Sequence, residues 1–202
     1  MKVKIFIDFW NFQLSWNEYH ANLGASSPIK IPWDKGLPQV LLSKVGDDCD
    51  YVGTHVYASI NPKKRTDRGL NSFLQIMNTF EGYQVSVKQR RPAKPVRCNN
   101  EGCRKEILSC PHCSKELIRT VEKGVDTTIA IELFQYGLDG VYDKAVLVSG
   151  DEDLVPAVEF IQRKGKYIIH AGWSGQSNPI RQACWSHILF DKIMVELLPP
   201  AR

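Results

Sequence analysis

Two apolar runs in this chain end in carboxylates: KIFID stops at Asp8, and AVLVSGDED stops at Asp151 and Asp153. A carboxylate closing such a run is costly to bury alone, so each of these acids needs a partner. If both runs are parallel strands, their carboxyl ends lie on one edge of a sheet and the three acids converge despite their distance in sequence. Converging carboxylates repel unless a cation sits among them. An oxygen-only, anionic donor set suits a hard divalent ion such as Mg²⁺ or Mn²⁺. The bland alternative for each acid is a cap: Asp8 and Asp151 can each cap a following helix, and Asp153 suits a first helical turn. Asp126, in EKGVDTTIAIELF, is a possible fourth member, with an N-cap role as its structural alternative.

A second constellation lies between these runs. Cys98, Cys103, Cys110 and Cys113 fall within sixteen residues, as C-x4-C and C-x2-C. Two close thiolate pairs can close a tetrahedral Zn²⁺ site with no open position, which makes the expected metal structural. His112 is a less favoured substitute ligand. Cys49 and Cys184 stand apart and read as small buried hydrophobes.

The elements that must position these groups alternate in type. Strands are expected over 3–7, 51–60, 83–88, 144–148, 167–170 and 187–190, and helices over 11–23, 33–45, 66–80, 125–136, 154–163 and 178–183. Alternation of this kind predicts an α/β fold, a three-layer sandwich around a mostly parallel sheet. The segment 90–119 breaks the rhythm and reads as an insertion, its zinc-binding part over 96–119, within one domain spanning 1–202.

At 202 residues, with 43% hydrophobic and 24% charged residues, the chain can bury a full core without disulfides. It has no uncharged apolar stretch of membrane-spanning length, and Asp8 interrupts the only run that resembles a signal peptide. A soluble, cytoplasmic protein is expected. The net charge of +4 is modest, but its distribution is informative. Lys63, Lys64, Arg65 and Arg68 form one basic cluster, and Lys88, Arg90, Arg91, Lys94 and Arg97 another.

Together, IFIDFWNF, KGVDTTIAIEL and LVSGDEDLVPAVEFIQRKGKYI resemble the NYN branch of the PIN-like nucleases, its LabA-like group in particular. The resemblance covers nearly the whole chain outside the cysteine segment. It implies a PIN-like, Rossmann-like sandwich and metal-dependent hydrolysis of RNA phosphodiesters. On matching positions it implies Asp8, Asp126, Asp151 and Asp153 as ligands of Mg²⁺ or Mn²⁺. Asn11 would be an auxiliary group near the scissile phosphate, and Ser149 a support for the acids. An acidic pocket repels a nucleic acid backbone, so positive charge must hold the substrate; the two basic clusters are candidates, as are Arg163, Lys164 and Lys166. Trp10 could stack on a base, whereas Phe12 suits the core. The expected partner is RNA, with DNA not distinguished, and the cysteine segment could serve RNA, a protein partner or a second copy of the chain.

Two other classes compete. One is a noncatalytic RNA- or protein-binding module of the same fold. The other is a phosphatase of the haloacid-dehalogenase type, which needs a second acid two residues after the first; that position is Trp10.

Overall fold

The computed structural model describes residues 1–34, 36–61, 65–115, 117–121, 124–174 and 178–198, with side chains at all of these except 65, 66, 91–94 and 118–121. The described residues form strands β1 (Lys2–Asp8), β2 (Asp50–Ile60), β3 (Tyr83–Gln89), β4 (Arg91–Arg97), β5 (Glu106–Ile107), β6 (Ile118–Val121), β7 (Lys144–Val148), β8 (Tyr167–Gly172) and β9 (Ser186–Leu189). The helices are α1 (Phe9–Asn22), α2 (Gly36–Val45), α3 (Arg65–Met77), α4 (Val125–Leu138), α5 (Val155–Arg163), α6 (Pro179–Ala183) and α7 (Phe190–Leu197).

Six strands make the central sheet, in the order β3-β2-β1-β7-β8-β9, and every pairing in it is parallel. A parallel sheet must be covered on both faces, which is why its strands are apolar on both sides. Ile5, Ile7, Val56, Val146 and Val148 face a core closed by α1, α2, α3 and α7 through Phe12, Trp16, Leu41, Met77 and Phe190. Phe6, Tyr57, Ala145, Leu147 and Ile168 face the opposite core, closed by α4, α5 and α6 through Ile129, Leu133, Val158, Ile161 and Ile180. The result is the expected three-layer sandwich.

Local signals set the helix ends. The side chains of Asp8 and Asn178 accept backbone N–H groups at the starts of α1 and α6, and Pro179 occupies the first turn of α6, where no N–H is required. A 3-10 turn over Glu152–Leu154, capped by Asp151, precedes α5 and its first-turn proline. In α1 the buried Phe9, Phe12, Trp16 and His20 recur at helical spacing, and Trp16 Nε1 donates to Ile29 O at 2.9 Å, so its ring is buried without an orphaned donor.

Two differences from the sequence expectation have clear causes. The chain does not close on β9: Phe190 begins α7, because Phe190, Ile193 and Leu197 recur at helical spacing and bury against the first core. The sequence reading also assigns no strand to the cysteine segment. Its ends form a separate three-stranded antiparallel sheet, β5-β4-β6, despite the prolines of β4.

Candidate active site

The chain runs outward from β1 through β2 to β3, then returns to β7 beside β1 and runs outward the other way through β8 to β9. The order therefore reverses between β1 and β7, and the carboxyl end of that seam is where ligands bind in open α/β sheets. Ile7 pairs with Val148 at the last rung, so Asp8 and Ser149 emerge side by side and Asp151 comes two residues later. Asp8 is only 6% exposed, and its Oδ1 accepts the Asn11 N–H at 3.1 Å. Asp151 Oδ1 accepts the Asp153 N–H at 2.9 Å. Each acid thus caps the helical turn that begins after it, which does not conflict with a second role for either carboxylate.

Asn11 ties the two strand ends together: its Oδ1 accepts the Gly150 N–H at 2.8 Å. Ser149 Oγ accepts the Asp151 N–H at 3.2 Å. Behind them His170, fully buried on β8, places Nε2 3.1 Å from Ser149 O. A carbonyl only accepts, so Nε2 carries the proton. Burial, reinforced by Arg181 and His187, pushes this imidazole down to about 4 against the opposing hydrogen bond it donates to Ser149 O, so it is neutral near pH 7. Asn11, Ser15, Ser149, Gly150, Trp173 and Asn178 line a cavity of about 100 Å³ at this seam. His170 and Asn178 carry no sequence signal for a site. A lone histidine in an apolar strand has no motif around it, and Asn178 shows only a cap's place before Pro179.

Asp126 reaches the same edge through the course of α4. Strand alternation puts Lys4, Phe6 and Asp8 on one face of β1, the face α4 covers. Towards its C-terminus α4 is pinned there by a polar cluster. Tyr57 Oη donates to Glu132 Oε2 at 2.9 Å, His55 Nδ1 stands 2.7 Å from the same oxygen, and Lys4 Nζ lies 4.7 Å from the Tyr136 ring centre. Burial lowers Lys4, opposed by Glu132, and raises Tyr57. Because Tyr136 lies over Lys4 and Glu132 over Tyr57, α4 runs antiparallel to β1. Its first turn, with Asp126, therefore points towards the Asp8 end, about 9 Å beyond Glu132 at helical rise. Asp126 is not the N-cap that its position suggested; Gly124 occupies that place in a left-handed conformation, at φ 87°. Another carboxylate, Asp67 in the first turn of α3, is 8% exposed and accepts the N–H of Asn61, the residue after β2, at 2.8 Å.

The donor set at this edge is oxygen-only and anionic, which fits Mg²⁺ or Mn²⁺. Its spacing is open. Among the described residues no group of three or more His, Cys, Asp or Glu is gathered so as to hold a metal ion.

The predicted basic residues divide. Arg90, just past β3, is held at the carboxyl edge by three groups: its N–H donates to Ile60 O at 2.7 Å, its Nε donates to Ser59 Oγ at 2.9 Å, and its guanidinium lies 4.9 Å from the Trp10 ring centre. Trp10 in turn donates from Nε1 to Ser59 O at 2.7 Å. Phe12 is core, packed on Trp16, Trp33 and Phe190. Arg68 is exposed on α3. Lys63 and Lys64 lie outside the described residues, as do the side chains of Arg65 and Arg91. Arg163 and Lys164 are not brought to the acids. They end α5, which has returned to the amino edge, where Lys166 Nζ stands 3.7 Å from Asp143 Oδ1 and Tyr167 pairs with Lys144. A helix of this length moves the chain about 13 Å away from the acids. A concavity of about 700 Å³ also lies at the amino edge, lined by Tyr51, Gly53, Phe80 and Gly82 among others.

All six cysteines are free thiols. Cys184 is buried, which pushes its thiol up to about 12. Cys110 is instead lowered by backbone N–H groups of His112 and Cys113. Among the described residues no helix is long and apolar enough to cross a membrane.

No curated protein matches the chain. Among solved structures it is similar to a crystal structure of a protein of unknown function from Vibrio parahaemolyticus, at 18% identity and TM-score 0.56, over 94% of this chain and 93% of that one. At that identity the likeness speaks for the fold. The NYN domain model matches residues 2–191, which takes in β1, the acidic seam and every strand of the central sheet. The chain therefore belongs to the NYN domain family, a family of PIN-like nucleases.

Proposed function

We propose that this protein is a metal-dependent ribonuclease of the LabA-like branch, cutting phosphodiester bonds at the β1–β7 seam. The observation that carries the reading is the pairing of Ile7 with Val148, which delivers Asp8 and the Ser149-Gly150-Asp151 turn side by side where the strand order reverses. Asp8, Asp126, Asp151 and Asp153 would hold Mg²⁺ or Mn²⁺, their side chains closing on the ion. A bound divalent ion supplies charge neutralisation on phosphate oxygens and an activated water.

The chain's own residues account for the rest. Asn11 holds Gly150 and so fixes the turn that carries Asp151. His170, neutral and buried, holds Ser149 O from behind. Arg90, braced by Ser59 and Trp10, offers a positioned cation to a phosphate at the same edge. Arg68 and the basic residues around it suit further backbone contacts, which carry little sequence information and weaken with salt.

A second reading is a module of the same fold that binds RNA or protein without cutting. Labelled RNA and DNA oligonucleotides incubated with Mg²⁺ or Mn²⁺, and with chelator, separate the two. Cleavage of RNA that stops with chelator supports the nuclease. Intact substrate under every metal, with RNA still bound, selects the noncatalytic module.

A further inference from the structure

The two cysteine pairs form matching turns. Cys98 N–H donates to Lys105 O at 2.9 Å, and Cys110 N–H donates to Lys115 O at 2.8 Å; in each, the acceptor lies two residues past the second cysteine. The residue directly after that second cysteine is left-handed in both, Arg104 at φ 44° and Ser114 at φ 54°. These are the only non-glycine residues with positive φ among the described residues, and such conformations persist only where the surroundings impose them. The two turns are neighbours: β5 runs between them on β4, and Leu117 N–H donates to Leu108 O at 2.9 Å.

Among the described residues, nothing apolar holds this segment. From 99 to 109 and from 111 to 115 every residue is exposed, and Cys98 and Cys110 are half-buried. A stretch of this length with no core needs a covalent or metal staple to keep one conformation. The thiols are free, which leaves the metal.

We propose that Cys98, Cys103, Cys110 and Cys113 are the four thiolate ligands of one structural zinc ion. Four soft sulfurs in two turns suit tetrahedral Zn²⁺ and leave no position open for catalysis. The four sulfurs are not yet gathered within metal-holding reach, so ion binding and closure of the two turns on each other are one event. The legs of the segment matter for where it sits. β4 comes directly after Arg90, and β6 leads back to Gly124 and Asp126, so the zinc ties down a loop that starts and ends at the acidic edge.

This site is independent of the cleavage reading, and its test needs no activity. The full chain is purified under reducing conditions from zinc-supplied cells, its metal is counted by mass spectrometry, and zinc is replaced by Co²⁺. One zinc per chain and the intense thiolate-to-cobalt absorption of a tetrahedral site are expected. Cys98→Ser and Cys110→Ser should abolish that absorption, and Cys184→Ser should keep it. Chelation should open 98–115 to protease while the circular dichroism of the sheet persists. The proposal is overturned if the wild-type chain carries no zinc, if the metal found is iron, or if mass spectrometry shows Cys98–Cys103 and Cys110–Cys113 disulfides in freshly alkylated protein. Should a serine variant aggregate, metal content and thiol alkylation of the wild type decide alone.

Discussion

Replacing Asn11 with alanine removes one acceptor, that of the Gly150 N–H, from the seam between β1 and β7. The cap of α1 survives, because the bond to Asp8 uses the backbone N–H of residue 11. A hydrogen bond of 2.8 Å between half-buried groups contributes about 1 kcal/mol net, and more where the donor is left without a partner. For a domain of this size that is a fall in Tm of about 2–4 °C. Because the bond fixes the turn carrying Asp151, Asn11→Ala should also weaken Mn²⁺ binding about 10-fold, the usual cost of losing a group that orients metal ligands. Differential scanning calorimetry and a Mn²⁺ titration followed by electron paramagnetic resonance give the two numbers. If Asn11→Ala melts within about 1 °C of wild type and binds Mn²⁺ equally well, water has replaced Asn11 and the bond does not organise the seam.

Two further predictions concern stability. His170 has its imidazole lowered from 6.5 to about 4, so in mildly acid solution the unfolded chain binds the proton that the folded chain refuses, and stability falls as pH drops through this window. His170 should contribute about 2 kcal/mol to the loss between about pH 7 and about pH 5 in urea unfolding, beside a similar share from His55, which burial and then Lys4 also push down to about 4, so His170→Gln should reduce the slope without abolishing it; equal slopes for the two proteins would refute the assignment. Two glycines should respond with opposite sign. A Cβ on Gly172 would lie 2.3 Å from His170 Cε1, whereas one on Gly69, inside α3, meets nothing within 4 Å. Gly172→Ala should cost about 1–3 kcal/mol and Gly69→Ala should gain about 0.5–1 kcal/mol in the same assay, and a gain at both positions would contradict the packing of His170.

Much of this architecture is legible in the sequence because the relevant signals are local. Short β-branched runs such as KIFI and KAVLV declare buried parallel strands, and a carboxylate at the end of each stands out against them. From there topology does the rest, since adjacency of β1 and β7 turns two distant motifs into one edge. The hidden features depend on three-dimensional partners. His170 looks like any polar residue in a strand until its contact with Ser149 is known, and Arg90 looks like one charge among five until Ser59 and Trp10 brace it. Arg163 and Lys164 mislead for a different reason. Their closeness in sequence to Asp153 suggests closeness in space, but α5 carries the chain back to the other end of the sheet. The C-terminal helix escapes sequence reading because Phe190 serves both as the end of an apolar run and as the first buried position of α7.

The nuclease reading stands on Asp8 and Asp151 serving a metal as well as their caps. Asparagine is as good a cap as aspartate, so Asp8→Asn and Asp151→Asn remove the charge and keep the local structure. The decisive measurement is single-turnover RNA cleavage in Mg²⁺ or Mn²⁺ by the wild type and these two variants, with melting temperatures recorded alongside. Unchanged melting and a loss of about 100-fold or more in rate are expected for each variant. Cleavage at the wild-type rate by either variant would show that its acid is a cap and nothing more.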